Sequence, residues 1–425
     1  METLTRQEVL QFLYSMGVEL PPATKLPNAA INQRLDQALK LSQELPEIFP
    51  SPASPTLKIA SLGDWPSGRL RVARAIARAN VEEAVQRSML NADLSDGDVD
   101  VFGGLRQIIG GLADNWDKKM KYFVMNDPDD QTSFLIAIRI IHVKRIDDST
   151  PVLTVLYHVY SPTEAGVNLA ARWDDEHTDA VSGQPPTYMK ITLLQQKALL
   201  RLLEFNSKYV PANFKPDRST LETDFKASFI FPVGPLSFEA LGKLNLDTGC
   251  AICGNKTAKK CGQCHSVGYC SPECQKEDWK NHKRTCSPLK GGNWRTIRLS
   301  SCLPGMEGMF MSDLSRRGST RNPLGPTTQI DSSAPPPNIH GFRVFLIKLQ
   351  YAPSHLYIYD RKRSMKCYFV KNNESRETFD EFIVEMQHSS RVTHGGLKMY
   401  RWAKRVGDWD LSVCLDKLPT ETIRW

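Results

Sequence analysis

Seven of the ten cysteines in this 425-residue chain fall within residues 250–286, spaced C-x2-C-x7-C-x2-C-x5-C-x3-C-x7-H-x3-C. The donors form four pairs: Cys250/Cys253, Cys261/Cys264, Cys270/Cys274 and His282/Cys286. Eight soft or borderline donors fill two closed tetrahedra, the signature of structural zinc, whereas a catalytic zinc keeps one position for water. His265 is a further conceivable donor, but eight others are already present. The segment offers only Ala251, Ile252, Val267, Tyr269 and Trp279 as sizeable apolar groups, too few to fold by core burial. Two Zn²⁺ ions, each worth about 10–16 kcal/mol in finger peptides, supply the missing folding energy.

The alternative, a set of disulfides, depends on the compartment. The N-terminal METLTRQEVLQFLYSMG carries charge and glutamines among its apolar residues, unlike a secretory signal. No apolar run approaches the ~18 residues of a membrane span. The expectation is a cytoplasmic or nuclear protein away from membranes, where thiols stay reduced and clustered cysteines mean metal. The net charge of +7 counts every thiol as neutral. Seven thiolates on two Zn²⁺ lower it by three, to +4, a mild value that argues against a nucleic-acid partner. Within residues 250–290 the same correction leaves +2, modest for phosphate contact.

The ligand pairing is partly derivable. Ser271-Pro272-Glu273 reads as a helix start, and Lys280, Lys283 and Arg284 suit the other end. An unbroken helix from Pro272 to about Lys283 sets Cys274 and His282 ~12 Å apart along its axis. Ligands of one zinc lie within about 4 Å of each other, so these two pairs hold different ions. That excludes a sequential arrangement and leaves an interleaved or a nested one.

CAICGNKTAKKCGQCHSVGYCSPECQKEDWKNHKRTC, with Tyr-Cys before the third pair and Trp-x-x-His on the helix, closely resembles the MYND-type zinc finger. The resemblance covers residues 250–286, and the long flanks resemble those of fungal proteins with such a finger in mid-chain. It implies the interleaved choice: Cys250, Cys253, Cys270 and Cys274 on one zinc, and Cys261, Cys264, His282 and Cys286 on the other. It also implies a protein-interaction module for short proline-rich peptides. Gln275 and Trp279 would line the groove, with the chain around Val267 and Tyr269 offering an edge for strand addition. Positions 275 and 279 are i, i+4 and share a helix face. Gly262 and Gln263 stand where some peptide-binding members carry a small hydroxyl residue. Pro335–Ile339, PPPNI, resembles the ligands of such fingers, which raises self-docking.

The flanks divide as follows. Residues 1–45 read as a helical hairpin, its first helix opened by a Thr5/Glu8 capping box and stopped at Gly17. Residues 46–56 read as a proline-rich linker. Residues 57–245 form an α+β domain: RLRVARAIARANVEEAVQRSM and ITLLQQKALLRLLEF are helical. SFLIAIRIIHVKRI and PVLTVLYHVY are strands of a hairpin turning at Asp147–Thr150, apolar on both faces and so covered on both. Residues 303–338 read as a disordered Ser/Pro/Gly linker. Residues 339–425 read as a second α+β region whose helix carries Phe379, Phe382, Ile383 and Met386 at core spacing. The fold class is therefore α+β, a mixed multi-domain chain with a two-zinc finger between two α+β regions.

No motif in the flanks carries chemistry. There is no phosphate-binding loop, HExxH or nucleophile elbow. Some MYND fingers interrupt a SET domain in lysine methyltransferases, which need an Asn-His-Ser/Cys stretch. Here Asn281-His282 belongs to the finger helix, and GGLRQIIGG has the wrong spacing for the glycine-rich entry. DDEH (174–177) reads as solvated loop, LLRLL (199–203) as a buried helix, DRKRSMK (360–366) as a basic hairpin tip, and Cys302, Cys367 and Cys414 as core or neutral residues. The expectation is a non-enzymatic adaptor or regulator. The alternatives are a SET-type methyltransferase and a zinc-dependent nucleic-acid-associated regulator.

Overall fold

The computed structural model describes the chain apart from residues 1–3, 19, 21–23, 50–55, 67–69, 77–99, 131, 179–184, 247–248, 257–258, 265–266, 287–288, 305–333, 342, 363, 389–396 and 420–425. Two compact units emerge, one drawn mainly from Met1–Gly17 and Ile31–Leu236, the other from Val18–Ala30, Ser237–Thr320 and Leu324–Trp425.

In the first unit, helix α1 (Arg6–Ser15) starts on its capping box. The Thr5 hydroxyl accepts from the Glu8 N–H at 3.3 Å, and the Glu8 carboxylate accepts from the Thr5 N–H at 2.6 Å. Val9, Phe12 and Leu13 form its buried stripe, and Gly17 ends it with φ at 86°. Helix α2 (Asn28–Ser42) follows, then α3 (Leu45–Ile48), a single turn with Leu45 buried at the start of the expected linker. Residues 50–55 of that linker lie outside the described residues. Helix α4 (Val72–Ile76) is the described part of the helix expected from residue 69. Helix α5 (Val101–Asp117) contains GGLRQIIGG, and its Asp117 carboxylate accepts the N–H groups of Val72 and Ala73 at 3.1 Å each, capping α4.

Strands β1 (Tyr122–Asn126), β2 (Leu135–Asp147) and β3 (Thr150–Tyr160) are followed by helix α6 (Glu164–Glu176), β4 (Thr187–Lys190), helix α7 (Leu193–Ser207) and β5 (Lys226–Ile230). The sheet order is β4-β1-β2-β3-β5, antiparallel except for the β1–β4 pair. The β2–β3 hairpin turns where the sequence places it, with Asp147 accepting from the N–H and hydroxyl of Ser149 at 2.9 Å. Both faces are covered, as two apolar faces require. Val124, Ala137 and Leu156 pack with Trp173 of α6, while the alternate residues Phe123, Ile136, Ile138 and Val155 are equally buried. Leu199, Leu200, Leu202 and Leu203 of the LLRLL stretch are buried in α7.

The DDEH stretch is a correction to the loop reading. Residues 174–176 are the last turn of α6, and His177 caps it, its Nδ1 donating to the Trp173 carbonyl at 2.8 Å. The apolar residue that sets this turn, Trp173, stands just before the polar run and is wholly buried.

The second unit contains helix α8 (Phe238–Leu246), β6 (Lys259–Lys260), β7 (Gly268–Tyr269), helix α9 (Pro272–Thr285), β8 (Trp294–Arg298), β9 (Phe345–Ala352), β10 (His355–Asp360), β11 (Lys366–Val370), helix α10 (Arg376–His388), β12 (Lys398–Arg405) and β13 (Asp410–Cys414). Six strands form an antiparallel sheet ordered β11-β10-β9-β12-β13-β8. Just beyond β8, Ser300 exchanges two hydrogen bonds of 2.8 Å with Tyr368 of β11, so the sheet's two edges meet. Phe379, Phe382 and Met386 of α10 pack with Ile347, Leu349, Ile358, Phe369 and Leu411 inside this curl, and Ile383 flanks them. Cys367 and Cys414 are buried and Cys302 half-buried. The β10–β11 hairpin carries the basic tip, but its first residue, Asp360, is buried and closes the turn.

Of residues 303–338, 305–333 lie outside the described residues. The PPPNI stretch is packed. Pro336 and Ile339 are buried, and the Pro336 carbonyl accepts from Arg405 Nη1 at 3.2 Å. The Asn338 carbonyl lies 3.0 Å from where a Cβ on Gly242 would stand, a close approach to α8 that glycine permits.

Candidate metal centre

The finger is built from two knuckles, a short hairpin and a helix. At the first knuckle the chain reverses between Cys250 and Cys253: the Gly254 N–H donates to the Cys250 carbonyl at 2.8 Å, with φ at Gly254 of +77°. Only glycine adopts that left-handed conformation without strain. The knuckle is stitched to β7 by the Ala251 N–H donating to the Gly268 carbonyl at 2.8 Å, and the second knuckle by the Cys261 N–H donating to Val267 at 2.7 Å. Helix α9 starts as the sequence indicates, with the Ser271 hydroxyl accepting from the Cys274 N–H and Pro272 in the first turn.

These contacts gather the eight donors into two groups, Cys250, Cys253, Cys270 and Cys274, and Cys261, Cys264, His282 and Cys286. Within each group every donor atom lies within 4.8 Å of the others. Cys253 and Cys270 approach to 3.3 Å, Cys270 and Cys274 to 3.6 Å, and Cys264 Sγ and His282 Nε2 to 3.5 Å. A zinc tetrahedron with Zn–S bonds near 2.3 Å has edges of about 3.8 Å, so both groups fit the ion. The sulfurs are too far apart for disulfides, which need about 2.05 Å, and all ten cysteines are free thiols. The pairing is interleaved. Helix α9 feeds both sites, Cys274 to one and His282 to the other.

Four thiols at one point resist ionising together. Burial pushes the Cys250 thiol up, but the N–H groups of Cys253, Cys270 and Ile252, with the Cys253 thiol, bring it down to about 6. Cys270 is pushed up to about 12, first by its bond to Cys253. Burial and the neighbouring Cys264 and Cys261 push Cys286 up to about 12. A divalent cation among these sulfurs supplies the opposing charge that lets all of them act as thiolates.

Around the sites sit Ile252 and Tyr269, buried, with Ala251 and Val267 packed against them. The Tyr269 hydroxyl donates to Asp278 of α9 at 2.6 Å, both groups buried, and burial with that carboxylate holds the phenol strongly protonated. Tyr269 is thus a core residue of the finger. Asp278 was not singled out by sequence; its only signal is its place one turn before His282. The Gly268 carbonyl, on the edge considered for strand addition, is already taken by Ala251. Gln275 is half-buried and Trp279 is 43% exposed, its ring edge-on to His282.

The MYND finger family matches residues 250–286. Over 47 residues the chain is 51% identical to N-lysine methyltransferase SMYD2 of Homo sapiens, covering 10% of this chain and 11% of the relative. Over 50 residues it is 44% identical to ubiquitin carboxyl-terminal hydrolase 19 of Arabidopsis thaliana (12% and 7%). Over 42 residues it is 57% identical to dauer abnormal formation protein 25 of Caenorhabditis elegans (10% and 11%). The chain thus spans about a tenth of the length of these curated relatives. No solved structure matches it. Residues 250–286 are a MYND finger with two interleaved sites for structural zinc, set in an α+β chain.

Proposed function

We propose that this protein is a non-enzymatic adaptor whose finger docks short proline-rich peptides of other proteins on the Gln275/Trp279 face of α9. The observation that supports this reading is Trp279, a large aromatic group 43% exposed on a helix whose ends are tied to two metal sites. A rigid platform of this kind costs little entropy to occupy. A polyproline II segment brings proline rings to stack on the indole and unpaired carbonyls to meet the Gln275 amide one turn away. The chain's own PPPNI suits this role less well than an external peptide, because Pro336 and Ile339 are already buried within the fold. Among the described residues no helix is long and apolar enough to cross a membrane.

The test is capture of proline-rich peptides by the zinc-loaded full chain beside Trp279→Ala. Loss of capture in the variant, with two zincs still bound, is the expected result. Equal capture by both proteins refutes the assignment. The methyltransferase named among the relatives shares only this finger, so methyl transfer from S-adenosylmethionine is expected to be absent.

A further inference from the structure

Residues 24–27, Thr-Lys-Leu-Pro, lie far upstream of the finger in sequence, yet they make the contacts of a docked peptide on it. The Lys25 N–H donates to the Ile252 carbonyl at 2.5 Å, the carbonyl between ligands Cys250 and Cys253. The Thr24 hydroxyl accepts from the Leu26 N–H at 3.3 Å, which fixes the backbone turn, and Thr24 is itself buried. Leu26 Cδ2 lies only 2.3 Å from where a Cβ on Gly254 would stand, so its side chain rests on the glycine that closes the knuckle. The Lys25 ammonium pairs with Glu277 of α9. One residue turns an α-helix by about 100°, which places Glu277 roughly 200° from both Gln275 and Trp279. The segment and the peptide face therefore use different sides of the helix.

We propose that residues 24–27 are a clamp on the first zinc site, holding the Cys250–Gly254 knuckle shut and slowing exchange of that ion. Release of zinc requires Cys250 and Cys253 to swing away from Cys270 and Cys274, and their turn opens only if Leu26 and the Lys25–Ile252 hydrogen bond give way. The segment touches the knuckle at Ile252 and Gly254 and the helix at Glu277. The effect therefore falls on one ion of the two, and the working finger extends beyond residues 250–286.

The experiment follows zinc transfer from the full-length chain to excess EDTA in the presence of a chromogenic chelator, with Leu26→Ala and Leu26→Met beside the native protein. Leu26→Ala should speed one of two release phases by roughly tenfold, the scale of one lost half-buried leucine side chain, and leave the other unchanged. Leu26→Met should keep the native rates. A variant that retains a single zinc would support the clamp in its strongest form. Unchanged phases, or equal acceleration or loss of both ions, would overturn it. Amide exchange gives a check on the unaltered protein: the Lys25 N–H should be protected while zinc is bound, and free exchange there would equally sink the proposal.

Discussion

Replacing Asp360 by alanine should destabilise the second unit by about 3–5 kcal/mol, and by asparagine about 2 kcal/mol. Asp360 ends β10 with no exposed surface. One carboxylate oxygen accepts from His340 Nε2 at 2.9 Å and from the Ser364 hydroxyl at 2.7 Å, and the other from the Met365 N–H at 3.0 Å. Alanine leaves two buried donors, the Ser364 hydroxyl and the Met365 N–H, and the half-buried His340 ring without this acceptor. Asparagine keeps the volume and one oxygen but turns an N–H₂ towards donors on the other side. Burial raises the Asp360 pKa, yet His340, Ser364 and the Met365 N–H outweigh it and hold the carboxyl below its ordinary 3.8. A carboxyl depressed in the folded state contributes stability that is fully present above the unfolded value. That contribution is lost as pH falls from about 4 through the folded value. The asparagine variant should lack this acid limb. A chain of two units has no single unfolding free energy, so the readout is site-resolved amide exchange at β10 and β11 in rising urea. An Asp360→Asn effect below about 0.5 kcal/mol, or an acid limb that persists without the carboxylate, would refute the reasoning.

Two further outcomes follow from the same geometry. Cys253→Ala with Cys274→Ala should cost one zinc by native mass spectrometry, whereas Cys253→Ala with Cys264→Ala should cost both; a sequential arrangement gives the reverse. Arg401, wholly buried, donates to the Leu415 carbonyl at 2.7 Å, the Tyr400 carbonyl at 2.8 Å and Glu385 of α10 at 2.8 Å. Arg401→Lys loses the planar fork and should cost about 3 kcal/mol by site-resolved amide exchange at β12 and β13, despite keeping the charge.

What the sequence disclosed depends on whether side chains or backbone carry the interaction. Zinc donors must be cysteine or histidine, so all eight were legible, and the helix rise alone separated Cys274 from His282. The α1 cap was legible for the same reason: Thr5 and Glu8 act through their side chains at a fixed spacing. The choice between nested and interleaved sites rests on main-chain bonds, Ala251 to Gly268 and Cys261 to Val267, that any residue could make. Only family resemblance anticipated it. Meeting of the sheet edges at Ser300 and Tyr368 is equally silent, since a serine and a tyrosine pair there through their amides. DDEH misled in the opposite way. Its polar letters suggested a loop, while the turn is decided by Trp173, which anchors α6 in the core.

The same distinction governs which faces of the finger are engaged. Residues 24–27 reach it through one N–H, one leucine on a glycine shelf and one solvent-facing ion pair. Of these the ion pair, half exposed, contributes least. A composition that fits so many loops could not have marked that segment as a ligand. Trp279 differs, because a tryptophan on a zinc-held helix must either fill the small core or face outward. Ile252 and Tyr269 already fill that core, and the indole stays 43% exposed. Two faces of one helix are thus set apart, one engaged by the chain itself and one presenting the aromatic group. A partner can therefore occupy the Trp279 face without displacing residues 24–27, so peptide binding and zinc retention should vary independently. Peptide saturation that left both zinc-release phases unchanged would support that separation, and a shift in the first-site phase would show the two faces to be coupled.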